Sequence, residues 1–313
     1  MTSGADGGRA TVIGAGLMGH GIAQVLAVGG LEVTVHDPFQ EALNSVPARV
    51  TANLEKLGLP TDAAQRIRLD SDLEASVAEA DWVFEAAPER LDLKQEIFER
   101  IDSAAPAEAV LATNTSVMLV GEVAAKVQRP ERVVGTHWWN PPFLVPLVEV
   151  VEADHTDPSV VNRTIELLEA LGKAPVHVKR DVAGFVGNRL QHALWREAFN
   201  LIDSGVCDAA TVDTVVTQGF GIRLPVLGPV ANADLVGLDL TLAIHDYVLP
   251  KLGQPSDPSE GLAERVENGD LGMSTGKGFL EWEEGQADAV RAQLFDYLVK
   301  ATSTSKTNGE HDA

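Results

Sequence analysis

Gly14-Ala15-Gly16-Leu17-Met18-Gly19 follows Thr11-Val12-Ile13 and opens a segment, 17–28, of helical composition. Thr11-Val12-Ile13 reads as a short buried strand, so the glycines fall at a strand-to-helix turn. Gly14 permits the tight turn, Gly16 lets a pyrophosphate approach the backbone, and Gly19 lets helix and strand pack closely. With Leu17 and Met18, the first helical turn offers unpaired N–H groups and a positive dipole end to phosphates. Glu32-Val33-Thr34-Val35-His36 then reads as a second strand ending at Asp37. An acid there would bind the adenosine ribose hydroxyls and repel a 2′-phosphate, so the pattern predicts an NAD(H) site rather than an NADP(H) site.

A chain of 313 residues can bury one large core or two modest ones, and 45% hydrophobic content suits a globular protein. No apolar run reaches the roughly 20 residues that span a bilayer, and the N-terminus lacks a basic-then-apolar signal. The single cysteine, Cys207, excludes an internal disulfide and suits a reducing cytoplasm. A net charge of −22 argues against nucleic acid or an anionic membrane surface as partner. The expected partner is a small-molecule substrate. The first ten residues and the tail 303–313, small and polar, are expected to be disordered.

Outward from the glycine turn, strands alternate with helices, which predicts an α/β, doubly wound, mostly parallel sheet of Rossmann type. Further strands are expected at 67–69, 82–86, 109–112, 133–137, 147–151 and 176–178. Leu43, Val46, Val50, Leu54 and Leu57 recur at helical spacing, and more helices are expected at 93–103 and 159–171. After Asp181 the pattern changes to helices at 185–204, 208–219, 234–249 and 287–301. The expected division is residues 1–183 as the dinucleotide-binding domain and 184–313 as a smaller all-helical domain.

Ligands of an open α/β sheet bind beyond the carboxyl ends of its strands. Thr113-Asn114-Thr115-Ser116, His137-Trp138-Trp139-Asn140-Pro141-Pro142 and Gly184-Phe185-Val186-Gly187-Asn188-Arg189 bring polar residues there. Oxidation of a secondary alcohol needs a base for the hydroxyl proton, and histidine titrates near working pH. His137 is the best placed of eight histidines. Glu149 interrupts the apolar stretch Leu147-Val148-Glu149-Val150-Val151, and a carboxylate there calls for a partner. Two readings stay open at this point. His137 and Glu149 form a catalytic dyad, or one is a satisfied core histidine and the other an outward edge-strand residue. His36 reads as a strand residue beside the nucleotide site and His245 as an ordinary helix residue. Ser116 equally suits a helix cap, and Asn188 an exposed helix face. No residue is assigned to a metal.

Together these segments resemble the 3-hydroxyacyl-CoA dehydrogenase family from about Arg9 to Trp282. The resemblance rests on Gly14 to Gly19, Pro88-Glu89 with Lys94, Asn114-Thr115-Ser116, His137-Trp138-Trp139-Asn140-Pro141, Leu147-Val148-Glu149-Val150 and Gly184-Phe185-Val186-Gly187-Asn188-Arg189. Thr275-Gly276-Lys277-Gly278-Phe279 is similar to the family's closing motif. It implies His137 as catalytic base, Glu149 as its carboxylate partner, and Ser116 and Asn188 on the substrate's reacting oxygen. It implies Glu89, Lys94, Ser116 and Asn140 along the nicotinamide half of an NAD site, and a homodimer through the helical domain.

Departures from the family point to the substrate. Mitochondrial-type members carry a lysine-rich arm for the coenzyme A phosphates. Here residues 38–60 hold only Arg49 and Lys56. Pro141-Pro142, Pro146-Leu147-Val148-Glu149 and Pro88-Glu89-Arg90-Leu91-Asp92-Leu93-Lys94 resemble the branch containing lambda-crystallin/L-gulonate 3-dehydrogenase and L-carnitine dehydrogenase, whose members oxidise free acids. Trp138 and Trp139 replace the usual phenylalanines. They serve either as core or, with Arg189 as carboxylate donor, as a wall for a bulky or aromatic, polyketide-like acid. The expected activity is NAD-dependent interconversion of a 3-hydroxy and a 3-oxo group on a free acid, in either direction a dehydrogenase or ketoreductase. The alternatives are the CoA-thioester enzyme and a non-catalytic, crystallin-like NAD(H)-binding protein.

Overall fold

A computed structural model describes residues 8–253 and 257–308. Eight strands form one sheet: β1 Arg9–Ile13, β2 Glu32–His36, β3 Ile67–Asp70, β4 Trp82–Glu85, β5 Val110–Thr113, β6 Val133–Trp138, β7 Leu147–Val151 and β8 Ala174–Val178. Their order is β3-β2-β1-β4-β5-β6-β7-β8. All neighbours are parallel except β6 and β7, which run antiparallel. The helices of this half are α1 Leu17–Val28, α2 Gln40–Lys56, α3 Leu73–Val77, α4 Leu91–Ala104, α5 Val120–Val123 and α6 Pro158–Ala170. Then follow α7 Gly187–Asp203, α8 Ala209–Gln218, α9 Pro229–Val236, α10 Leu238–Val248, α11 Glu260–Glu267 and α12 Gln286–Asn308.

The sheet core is built on the period of two that sends successive strand side chains to opposite faces. Val12, Phe84, Ala112, Val134, Val148 and Val150 pack with α1, α2 and α6. Their neighbours Ile13, Val83, Leu111, Val133 and Val151 pack with α3, α4 and α5. Both faces are covered, which is why the central strands read as near-continuous apolar runs.

The chain divides into two compact units. One comprises residues 1–189 and 295–313, the other residues 190–294. The second unit is helical, and none of α7 to α11 carries a buried residue. Two details depart from expectation. The helix expected over 234–249 is broken at Gly237, whose φ of 104° lies outside the helical region, so α9 ends and α10 begins there. The tail was expected to be disordered from residue 303, yet α12 runs to Asn308, since each added helical residue gains a backbone hydrogen bond whatever its side chain. The remainder of both termini, 1–7 and 309–313, lies outside the described residues, and β1 starts at Arg9.

The same alternation corrects the reading of the tryptophan pair. His137 and Trp138 are adjacent on β6 and therefore face opposite sides of the sheet. Trp138 is 2% exposed, meets Phe84 edge-on at 6.2 Å, and carries the Lys173 ammonium 5.3 Å from its ring. It is core, not wall. Trp138→Ala should therefore cost about 3–5 kcal/mol in urea unfolding, as large-to-small changes at buried aromatics do. A change confined to substrate KM, with the unfolding midpoint intact, would place the ring at the site instead.

Candidate active site

The glycine turn is formed as its sequence requires. Gly14 has φ 103°, and a β-carbon there would meet the Ala86 carbonyl oxygen at 2.6 Å. At Gly19 it would sit 1.7 Å from the Gly14 carbonyl oxygen, so helix and strand touch through backbone. Over Gly16 it would meet nothing, leaving open space above the turn. The α1 N-terminus has no side-chain cap and no acid in its first turn. Open space, an uncapped helix end and absent acids fit a pyrophosphate.

Three side chains hold this turn. Asp37 Oδ2 accepts the Ala15 N–H at 2.8 Å, and its Oδ1 accepts the Phe39 N–H at 2.9 Å. Arg49 Nη1 donates to the Ala15 carbonyl at 2.9 Å, and His20 Nδ1 lies 2.8 Å from the Gly16 carbonyl. Burial pushes the His20 pKa down, with the nearby Arg49 charge acting the same way. Asp37 thus braces the turn with one lone pair per oxygen and keeps a second on each. Spacing alone did not reveal the parts of Arg49 and His20.

Antiparallel pairing of β6 and β7 sets His137 directly across from Glu149. His137 Nδ1 lies 2.7 Å from Glu149 Oε2. Glu149 Oε1 accepts the N–H groups of Val186 at 2.9 Å and Gly187 at 3.0 Å. The carboxylate is only 1% exposed. Burial pushes its pKa up, but the hydrogen bonds from His137, Gly187 and Val186 outweigh burial and hold it below the ordinary glutamate value. With Nδ1 bonded to a carboxylate, Nε2 is the ring atom left to take a proton. Trp139 stands beside the imidazole, ring centroids 5.1 Å apart, and Phe185 at 5.9 Å.

A second buried carboxylate, Glu85, ends the apolar strand β4. Its oxygens accept from Lys94 Nζ, the Thr113 hydroxyl and the Ala87 N–H, each at 2.7 Å. Lys94 is 0% exposed and also lies 3.4 Å from Glu89 Oε2. Glu89 Oε1 in turn accepts from the Thr115 hydroxyl at 2.5 Å and the Ser116 N–H at 2.8 Å. Burial raises the Glu89 pKa, yet the Thr115 hydroxyl and the Lys94 charge bring it below the ordinary value. Lys94 therefore does not itself reach a ligand surface, because its ammonium is enclosed by the two glutamates and the Ala87 carbonyl.

Ser116 is held from both sides, at its N–H by Glu89 and at its carbonyl by Asn188 Nδ2 at 2.8 Å. Asn188 thus spends one amide N–H on backbone and keeps the other. Asn140 is exposed. Arg189, also exposed, donates to the Ala183 carbonyl at 3.3 Å. Sequence reading missed Glu85, although the signal was the one that singled out Glu149, a carboxylate inside an apolar strand. Among the described residues there is no group of three or more His, Cys, Asp or Glu able to hold a metal, and no helix long and apolar enough to cross a membrane.

Residues 9–182 match the NAD binding domain of 3-hydroxyacyl-CoA dehydrogenase, and residues 184–282 match its C-terminal domain. The chain belongs to the 3-hydroxyacyl-CoA dehydrogenase family. It is an NAD-dependent dehydrogenase acting on CH–OH groups. It is 33% identical over 293 residues to a 5-formyl-3-hydroxy-2-methylpyridine 4-carboxylate 5-dehydrogenase of Mesorhizobium japonicum, covering 92% of this chain and 95% of that one. A crystal structure of a dehydrogenase of that name, described as an NAD+ dependent dismutase, superposes with a TM-score of 0.88 at 33% identity, covering 93% of this chain and 96% of that chain. An L-carnitine dehydrogenase of a Pseudomonas species is 39% identical over 306 residues, 94% of each chain.

The pH dependence of stability follows from Glu149. Its folded pKa lies below its unfolded one, so it stabilises the fold above the unfolded value, and that contribution is lost as pH falls through the folded value. Glu149→Gln should be less stable than wild type at pH 7, and the gap in urea midpoint should narrow below about pH 4. A gap of constant size from pH 7 to pH 3.5 would mean that the carboxylate charge contributes nothing.

Proposed function

We propose that this dehydrogenase interconverts a 3-hydroxy and a 3-oxo group on a free acid rather than on a coenzyme A thioester. The observation that carries the reading is the fate of the only two cations in residues 38–60. Arg49 turns inward to the Ala15 carbonyl, and the Lys56 ammonium sits 3.5 Å over the Phe295 ring. Neither is directed at a nucleotide phosphate, and a net charge of −22 further disfavours a polyanionic tail. Relatives named for carnitine and for a pyridine carboxylate support the same reading.

In this reading the dinucleotide lies along Gly14, Gly16, Leu17, Met18 and Gly19 with its ribose on Asp37. Glu89 and Asn140 border the nicotinamide half, with Ser116 beside them. When bound, NAD would supply the hydride acceptor for the alcohol carbon, and NADH the hydride donor in reduction. His137 takes the hydroxyl proton at Nε2 while Glu149 fixes Nδ1–H and offsets the imidazolium charge. The Ser116 hydroxyl and the remaining Asn188 N–H hold the reacting oxygen. Trp139 forms an apolar wall beside the base, and Arg189 retains donors for the substrate carboxylate. The single Cys207 suits a cytoplasmic setting.

His137→Gln should lower kcat roughly 10²–10⁴-fold while NADH affinity stays near wild type. In the same assays a free 3-oxo acid should be reduced with kcat/KM at least equal to that of its CoA thioester. Acetoacetyl-CoA exceeding every free acid by more than about tenfold, roughly 1.4 kcal/mol of transition-state binding, would return the thioester reading.

We also propose a homodimer through the helical unit. Val226, Val230 and Leu235 are 85%, 77% and 70% exposed, and helices that bury nothing within one chain need a second surface. Light scattering should give twice the chain mass, and Leu235→Glu should shift the population toward monomer. A monodisperse wild-type monomer at micromolar concentration rules the dimer out.

A further inference from the structure

Phe185 is the one non-glycine residue with positive φ among the described residues, at 49°, and it follows Gly184 at 74°. A residue with a β-carbon adopts this left-handed region only when its surroundings impose it, and such outliers cluster where function needs a particular backbone. Here the surroundings do impose it. The Gly184 N–H donates to the Val117 carbonyl at 3.1 Å, the Phe185 N–H to the Val182 carbonyl at 2.9 Å, and the Arg189 N–H back to the Gly184 carbonyl at 3.2 Å. The Phe185 ring is 1% exposed and lies against His137. The two residues after the turn point their N–H groups at one atom, Glu149 Oε1. Gly187 leaves no room for a side chain. A β-carbon there would stand 2.4 Å from Trp139 Cζ2 and 3.2 Å from Glu149 Oε2.

We propose that the left-handed turn at Gly184-Phe185, with the two amides that follow it, is a positioning element for the reaction. It holds Glu149 by Oε1 so that Oε2 stays on His137 Nδ1. Phe185 and Gly187 act through Glu149 and touch neither substrate nor cofactor. This rests on the reading of His137 as base and Glu149 as its partner.

The chemical reason lies in what the carboxylate would do without the turn. A buried carboxylate with a single donor on one oxygen can rotate, or take up a proton, and in either case the imidazolium loses its counter-charge. Among the described residues, His137 on β6 is the titratable side chain hydrogen-bonded to Glu149, and the other two donors are the amides of this turn. The turn is also tied to Ser116 through Asn188 Nδ2, so one five-residue stretch braces both the base's partner and the oxygen-binding serine.

The test compares Phe185→Val with Phe185→Gly. Both remove the ring, but glycine keeps the left-handed backbone at little cost, whereas β-branched valine opposes it. In alcohol oxidation Phe185→Val should lower kcat about tenfold or more and move the acid limb of the kcat–pH profile to lower pH, because an imidazolium without its counter-charge gives up its proton more readily, with KM and NADH affinity nearly unchanged. Phe185→Gly should keep the wild-type limb and lie within about threefold of wild-type kcat. A wild-type profile in Phe185→Val, or equal losses in both variants, overturns the proposal. If Phe185→Val no longer binds NADH, Gly187→Ala takes its place, with the same downward limb shift expected and an unshifted limb overturning the idea. His137→Gln run alongside separates the two failures. Retained turnover there removes the dyad reading and this proposal with it, whereas lost turnover with an unmoved limb in the turn variants removes the proposal alone.

Discussion

A carboxylate sealed from water on a sheet face is the constraint around which the catalytic half of the molecule is arranged. Glu149 at 1% exposure must find donors within the protein, because an unpaired buried charge costs several kcal/mol. It finds them in three places: the imidazole directly across the sheet, and two successive amides from the start of the helical region. The first depends on β7 running antiparallel to β6, against the parallel grain of the remaining sheet. A parallel β7 would still offer side chains to that face, but the short connection from Trp138 to Leu147 would not reach its start.

Glu85 and Glu149 show how partners divide two otherwise similar carboxylates. Each interrupts an apolar strand, each is almost fully buried, and each accepts three hydrogen bonds. Glu85 meets a lysine ammonium that is itself enclosed, between Glu85, Glu89 and the Ala87 carbonyl. That pair is suited to holding shape, and it passes order outward through Glu89 to the Ser116 N–H. Glu149 faces a histidine bonded through Nδ1, whose second ring nitrogen, Nε2, is left open to a proton. In the proposed reaction the imidazole gains that proton from the alcohol, and Glu149 offsets the charge. On that reading the carboxylate beside lysine holds shape and the one beside histidine serves the chemistry, a difference that lies in the partner.

Much of this was legible in the sequence because glycines and strand periodicity have few structural readings. Gly14, Gly16 and Gly19 each met the steric demand assigned to them, and the sheet, with its helices, followed from alternation. Glu149 was visible as a charge in an apolar run, although only register could say that it opposes His137. Illegible parts were those fixed by neighbours far along the chain. Trp138 and Trp139 look alike in sequence, and only the pleat of β6 separates core from cleft. The inward turn of Arg49 depends on how α2 lies against the glycine turn. The left-handed Phe185 left no trace in composition, since phenylalanine is not a residue that invites positive φ.

The treatment of Arg49 and Lys56 links cofactor and substrate selection. Residues 38–60 carry two cations, and the fold uses one to brace the pyrophosphate turn and the other against an aromatic ring. Bracing matters because a turn held by Asp37, Arg49 and His20 presents its N–H groups without reorganising when the dinucleotide arrives. The same assignment leaves neither cation of this stretch turned toward a second nucleotide, which is what the free-acid proposal rests on. On that proposal, affinity for substrate would arise near the reacting carbon, from the indole of Trp139 and from polar groups beside Ser116 and Asn188. A site built that way would discriminate by the body of the acid instead of by a shared handle.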